Sequence, residues 1–215
     1  MKIKIKLPSL GYSPVKFGGE ETHKPRLYHV TALVRLKQIM KEGLSPGMET
    51  LSREVFKEEY MIEEEEEEEF VDCNTEAQMH LDEELGRGPA VYFWTDIDRA
   101  YESMEGLRDL NLKLIVLVVD PLKIPCTCYV SDAEIADEIY EEYYDACISE
   151  TLVDTEKIER LVEEWEKTVE EYNPWKKYPS YYEVWCPCTV PPEAIVQVLD
   201  EARNDLTEVA NKYRY

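Results

Sequence analysis

Apolar positions along this chain fall into short runs separated by Gly, Pro and acidic residues, and their spacing changes between strand-like and helix-like. Leu27 to Val30 in RLYHVT reads as a short strand. Leu33, Leu36, Ile39 and Met40 then recur at helical spacing, with Thr31 as the expected N-cap, Gly43 as the stop and Pro46 beyond it. The same strand-into-helix pattern returns in GPAVYFWTDIDRAYESM, where Ala90 to Trp94 predicts a strand and Thr95 caps a helix carrying Ile97, Ala100, Tyr101 and Met104. The run LNLKLIVLVVDPL is the most apolar in the chain. Its length and β-branched content predict a central buried strand, ended by Asp120 and Pro121.

Two amphipathic helices are expected next. SDAEIADEIYEEYYDAC opens on a capping box of Ser131 with Glu134, and DTEKIERLVEEWEKTVEEY sets Ile158, Leu161, Val162, Trp165, Val169 and Tyr172 on one stripe. After the loop NPWKKYPS, YYEVWCPC and EAIVQVL read as strands joined by the turn TVPP, and DEARNDLTEVANKY as a polar tail helix. Near the start, IKIKL adds a strand candidate ahead of a Gly/Pro-punctuated loop. No repeat or linker divides the chain, so residues 1–215 are expected to form one α+β domain.

Charge narrows the partners. Lys and Arg total 24 against 47 for Asp and Glu, a formal net charge of −23. Counterion displacement from phosphates needs clustered cations, so bulk nucleic-acid binding is not expected for most of the surface, with a local basic patch left open. The segment EEYMIEEEEEEE, Glu58 to Glu69, reads as a self-repelling solvated helix or insertion rather than a site, because nothing in it fixes which carboxylates converge. The first residues contain no apolar h-region and no apolar run is long enough to span a bilayer, so a cytoplasmic location with no membrane partner is expected. A charged fraction of 33% fits the surface ion-pair networks of thermophile proteins. Four of the six cysteines form two Cys-x-Cys pairs, Cys126/Cys128 and Cys186/Cys188. Such pairs can converge on a zinc ion or form bridges; the spacing departs from the usual zinc pattern, which favours disulfides or buried thiols.

Three segments, YHVT, VYFWTD and YYEVW, place a polar side chain at a strand edge where burial is costly without a partner or a task. Glutamate is disfavoured among aromatics on a strand, so Glu183 either faces water or serves a site. Read in order, these segments resemble the His-Tyr-Glu branch of the ADP-ribosyltransferase superfamily. His29 in LYHVTALVRLKQIMKEGL ends an early strand before a helix, Tyr92 in AVYFWTDIDRAYE lies on a middle strand before another, and Glu183 in YYEVWCPCTVPPEAIVQV lies on a late strand. The similarity covers about 27–44, 88–104, 112–120 and 180–199. It leaves an acidic insertion at about 50–85 and a helical insertion at about 131–172 outside.

The resemblance implies a split pair of small twisted β-sheets with flanking helices, and NAD bound as co-substrate in the cleft between them. Glu183 would be the catalytic carboxylate. His29 would orient the ribose, the Val30 backbone would meet the nicotinamide amide, and Tyr92 would stack on the ring, with Tyr101 as a second stacking candidate and Thr31 near the adenosine half. Val30 stands where glycine is often found, and Tyr181 stands where arginine-modifying toxins carry Glu or Gln, so the acceptor is not expected to be an arginine side chain. The His-x-Thr start and Val-Pro-Pro-Glu ending are most similar to DNA-modifying toxins of the superfamily, but a DNA acceptor would need a basic lining from Lys24, Arg26, Arg35 or Arg87. Two alternatives stand beside this reading. One is an RNA 2′-phosphotransferase-like enzyme, which would require several arginines around a phosphate. The other is a non-catalytic acidic interaction protein or nucleic-acid-mimicking decoy.

Overall fold

A computed structural model describes residues 24–46, 64–106 and 113–214. The IKIKL strand candidate and the part of the Glu-rich tract before Glu64 lie outside these residues. Seven strands make one sheet: β1 (Leu27–Ala32), β2 (Val91–Trp94), β3 (Leu114–Val119), β4 (Tyr129–Asp132), β5 (Glu170–Glu171), β6 (Tyr182–Cys186) and β7 (Ile195–Asp200). Their order is β5-β4-β6-β2-β1-β3-β7, with every neighbouring pair antiparallel. The helices are α1 (Leu36–Glu42), α2 (Glu64–Leu85), α3 (Ile97–Gly106), α4 (Ala133–Ile148), α5 (Thr155–Glu166) and α6 (Thr207–Asn211). The α+β class holds, in the form of a single sheet.

Pairing along that sheet is uneven. β1 and β3 align over six residue pairs, from Leu27↔Val119 to Ala32↔Leu114, whereas β1 and β2 share one, Tyr28↔Trp94. The β1–β2 boundary is therefore a seam between two better-knit halves. One face of the sheet, with Leu27, Phe93, Leu117, Val130 and Val184, packs on Leu36, Ile39 and Met40 of α1 and Ala210 of α6. The other face is covered in two patches. Trp185 and Tyr92 lie under α2, α4 and α5, while Val116, Val118 and Leu114 lie under α3. β3 is buried at all six positions, which explains its unbroken apolar sequence. It lies second from the edge, so burial on both faces rather than central order made it so apolar.

Helix starts differ from the expectation in a consistent way. Thr31 belongs to β1, opposite Ile115, and the chain enters α1 through a 3-10 turn at Leu33–Arg35 without a side-chain cap. At α3, Asp96 rather than Thr95 caps, accepting from the Asp98 and Arg99 amides at 2.9 and 3.2 Å. At α4, Asp132 accepts from Glu134 and Ile135, and Ser131 stays in β4, fully buried, because strand pairing continues to Asp132↔Tyr182. Ionised carboxylates cap as well as hydroxyls and also suit the helix dipole, so Asp next to Ser or Thr takes the position here. The tail is mostly a turn: the Asp200 carboxylate accepts from the Ala202 and Asn204 amides, and only Thr207–Asn211 is helical. The stop at Gly43 is as expected. Its φ of 87° and the Val190 carbonyl, 2.3 Å from where a Cβ would sit, leave room for glycine alone.

All six cysteines are paired, as Cys73–Cys147, Cys126–Cys188 and Cys128–Cys186. This overturns zinc at Cys126, Cys128, Cys186 and Cys188. The antiparallel register Tyr129↔Trp185, continued past the end of β4, sets Cys128 against Cys186 and Cys126 against Cys188. Each thiol meets one partner across the strands, and four do not converge on a point. Among the described residues no group of three or more His, Cys, Asp or Glu could hold a metal ion, and no helix is long and apolar enough to cross a membrane. Three disulfides fit an oxidising compartment, or the cytosol of a hyperthermophile, better than an ordinary reducing cytosol.

Candidate functional site

Glu183 and Tyr92 lie on one face of two adjacent strands. Register pairs Trp94 with Glu183 and Tyr92 with Trp185, so all four side chains project to one face, where Tyr92 and Trp185 lie under α2, α4 and α5 and Trp94 lies against α3. Between them sits Arg87, whose side chain is 3% exposed. One Arg87 Nη donates to Glu183, the other lies 3.6 Å from Asp82 of α2, and the guanidinium covers the Tyr92 ring at 4.8 Å and approaches Trp165 at 5.9 Å. The Tyr92 hydroxyl in turn donates to Asp82 at 3.2 Å. One cation, two carboxylates and a phenol thus form a closed set, with the Glu183 side chain 14% exposed.

The loop between α2 and β2 delivers the guanidinium. Gly86 and Gly88 flank Arg87 with φ of 60° and 61°, a left-handed backbone that glycine adopts without penalty. The turn they make drives Arg87 back under α2. Burial lowers the Arg87 pKa, but Glu183, Tyr92 and Asp82 more than offset this and raise it. Burial also raises the Tyr92 phenol well above its usual range despite the guanidinium beside it.

The buried atoms here without a hydrogen-bond partner among the described residues are Arg87 Nε, the hydroxyl of Ser131 and the indole nitrogens of Trp165 and Trp185. Ser131 stands directly opposite Glu183 in the β4–β6 register. Orphaned polar atoms in a buried site are costly, and two beside one carboxylate mark a place that is incomplete as it stands. At the rim, Asp137 of α4 is pushed up to about 6, first by burial and then by the Glu183 charge, against the pull of Arg99 and Arg87.

His29 lies across the seam. Tyr28, opposite Trp94, shares the Glu183 face, so His29 projects from the other, where its ring lies 5.7 Å from that of Phe93. Its Nδ1 reaches the Tyr92 carbonyl at 2.9 Å, where regular β1–β2 pairing is missing. Burial lowers its pKa to about 4, so the ring is neutral near pH 7, with Nδ1 protonated to donate and Nε2 carrying the lone pair.

The other candidates are separate. Val30 packs with the cluster under α3, and Thr31 pairs with Ile115. The Tyr101 hydroxyl donates to the Asp200 carbonyl at 3.0 Å under the Arg203 guanidinium, away from Arg87 and Glu183. The structure thus joins Tyr92 directly to the Glu183 site, ties His29 to it through one backbone carbonyl, and leaves Tyr101 elsewhere. Arg87 appears in the sequence only as a possible basic lining; Asp82 and Asp137 do not stand out. The Gly-Arg-Gly triplet is the signal for Arg87, since paired glycines around a lone arginine point to a turn built to aim it.

Compared with protein-family models, curated proteins and solved structures, the chain matches none.

Proposed function

We propose that the chain is an NAD-dependent ADP-ribosyltransferase-like protein in which Glu183 is the carboxylate that faces the ribose while the nicotinamide–ribose bond breaks. The observation that carries this reading is the meeting of Glu183 and Tyr92 on one sheet face around Arg87, beside the seam that His29 spans. The family's two-sheet arrangement would correspond to an opening at that seam, where β1 and β2 share a single residue pair.

Departure of nicotinamide leaves positive charge on the ribose, much as in glycoside hydrolysis. A carboxylate in a water-poor pocket stabilises that charge strongly, because little solvent screens it. Glu183 has the burial for this role. Its carboxylate must first exchange the Arg87 guanidinium for a ribose hydroxyl, so Arg87 sets the threshold for occupying the site. His29 projects from the opposite face of the sheet and reaches this site through the Tyr92 carbonyl, so its part is to position β2 rather than to touch the ribose. Tyr92 offers a flat ring for the cationic nicotinamide. Tyr101 has no place in this scheme.

A second reading is favoured by the same ion pair. If Arg87 never releases Glu183, the fold is a non-catalytic acidic interaction protein, consistent with a net charge of −23. The RNA 2′-phosphotransferase alternative is less well supported, since one arginine, not several, is buried among the described residues.

Titration with NAD separates the two readings. The first predicts a rise in melting temperature with NAD and measurable release of nicotinamide. It also predicts that Glu183→Gln keeps the thermal shift while turnover falls at least about 10²-fold. Undiminished turnover in that variant removes the catalytic assignment. No shift at millimolar NAD together with no nicotinamide release favours the second reading.

A further inference from the structure

We propose that Ser131 of β4 is a positioning residue for Glu183: its hydroxyl donates to the Glu183 carboxylate once a ligand has displaced Arg87. This rests on the reading above and adds to it the exchange of partners that keeps the carboxylate aimed when the guanidinium leaves.

Placement comes from the sheet. β4 and β6 pair without a break through Val130↔Val184, Ser131↔Glu183 and Asp132↔Tyr182, and just beyond the last pair the Ala133 amide donates to the Tyr181 carbonyl at 3.1 Å. Residues directly opposite on antiparallel strands project to one face, with β-carbons about 5 Å apart. The Ser131 side chain therefore lies next to that of Glu183, on the face where the carboxylate meets Arg87. A one-residue slip would turn every β4 side chain to the opposite face, so the register fixes this neighbour. From that spacing a serine hydroxyl reaches a glutamate carboxylate by side-chain rotation alone.

The fold makes no use of this hydroxyl. Ser131 is fully buried, and its oxygen has no hydrogen-bond partner among the described residues. The adjoining helix start passes it over, because the Asp132 carboxylate receives the Glu134 and Ile135 amides. Glu183 is held instead by the Arg87 guanidinium. The flanking positions on the same face, Tyr129 of β4 and Trp185 of β6, are aromatic and belong to the apolar cluster under α4. Alanine at 131 would spare the desolvation of a hydroxyl, so stability gives no reason for serine here.

The hydroxyl gains a task when the site is occupied. A buried carboxylate that loses its guanidinium is left uncompensated. A ribose hydroxyl replaces one donor, and Ser131 supplies a second from the fixed strand opposite. Hydrogen bonds to an ionised group are stronger than those between neutral ones and favour the ionised form. Ser131 touches neither ribose nor nicotinamide; it acts by fixing the direction and the charge of Glu183.

The test compares Ser131→Ala with wild type in two measurements: thermal unfolding without ligand, and steady-state release of nicotinamide from NAD against pH. Removal of an unpartnered buried hydroxyl is expected to raise the melting temperature by about 2 °C. In the same variant kcat/KM for NAD is expected to fall about 10-fold, and the acid limb of the kcat profile to move to higher pH as the bound-state carboxylate loses a donor. A variant that melts below wild type shows the hydroxyl already engaged in the free protein, and an unchanged kcat/KM or an unmoved acid limb shows that Glu183 does not use it. Any of these overturns this proposal and leaves the assignment of Glu183 standing. Wild-type protein that releases no nicotinamide overturns the reading of the site and this inference with it.

Discussion

His29 and Arg87 are two buried polar residues whose effects on stability have opposite origins. The His29 imidazole is neutral in the fold, with a pKa near 4 against 6.5 when unfolded. Between those values the unfolded chain binds the extra proton, so stability is lost as pH falls from 6.5 toward 4. The displacement corresponds to about 3 kcal/mol at most. Asp137 acts the other way: its raised pKa makes the fold bind a proton that the unfolded chain releases, so its contribution is lost as pH rises from about 4 to 6. Urea midpoints measured across this range should fall with acid in wild type more than in His29→Gln, and equal slopes would contradict the burial of a neutral ring. Arg87 is a charge held by partners. Arg87→Gln leaves Glu183 and Asp82 without their shared cation, and the expected cost is about 3 kcal/mol in urea unfolding at pH 7. Adding Glu183→Gln should recover part of that loss, because the two residues interact directly. Additive losses would show that the pair carries no coupling.

At the scale of elements, the disulfide Cys73–Cys147 fastens α2 to α4 over a sequence separation of 74, and α2 supplies the Asp82 that holds both Arg87 and Tyr92. Replacing both cysteines by serine should cost about 4 kcal/mol through loop entropy in the unfolded chain. Faster amide exchange should appear in α2 first, and unchanged exchange there would contradict its dependence on the bridge. The elements themselves were largely legible. β1, β2, β3, β6 and β7 and the helices α1, α3, α4 and α5 follow from apolar spacing, since each buries a stripe or a face. Their first residues were less so. Thr31, Thr95 and Ser131 are all plausible caps by composition, but pairing with a neighbouring strand or a nearby aspartate decides which residue serves, and neither is local information.

For the whole molecule, sequence marked Tyr92 and Glu183 through their strand contexts, and register brings them to one face. It did not mark Asp82, because that residue is one acid among many on an acidic helix and acquires meaning only from the guanidinium it meets in space. Nor could it decide the fate of the cysteines, which depends on the antiparallel register of β4 and β6. The net charge of −23 adds a constraint: the surface as a whole repels a polyanionic acceptor, so any nucleic acid would have to approach through a local cationic path. The central claim, that a nicotinamide ribose belongs against Glu183, is tested most directly by a crystal structure with a non-cleavable carba analogue of NAD. The account predicts the ribose hydroxyls at the Glu183 carboxylate, the nicotinamide ring on Tyr92 and the Arg87 guanidinium displaced from its present pair. An analogue bound elsewhere, with Arg87 still seated on Glu183, would contradict it.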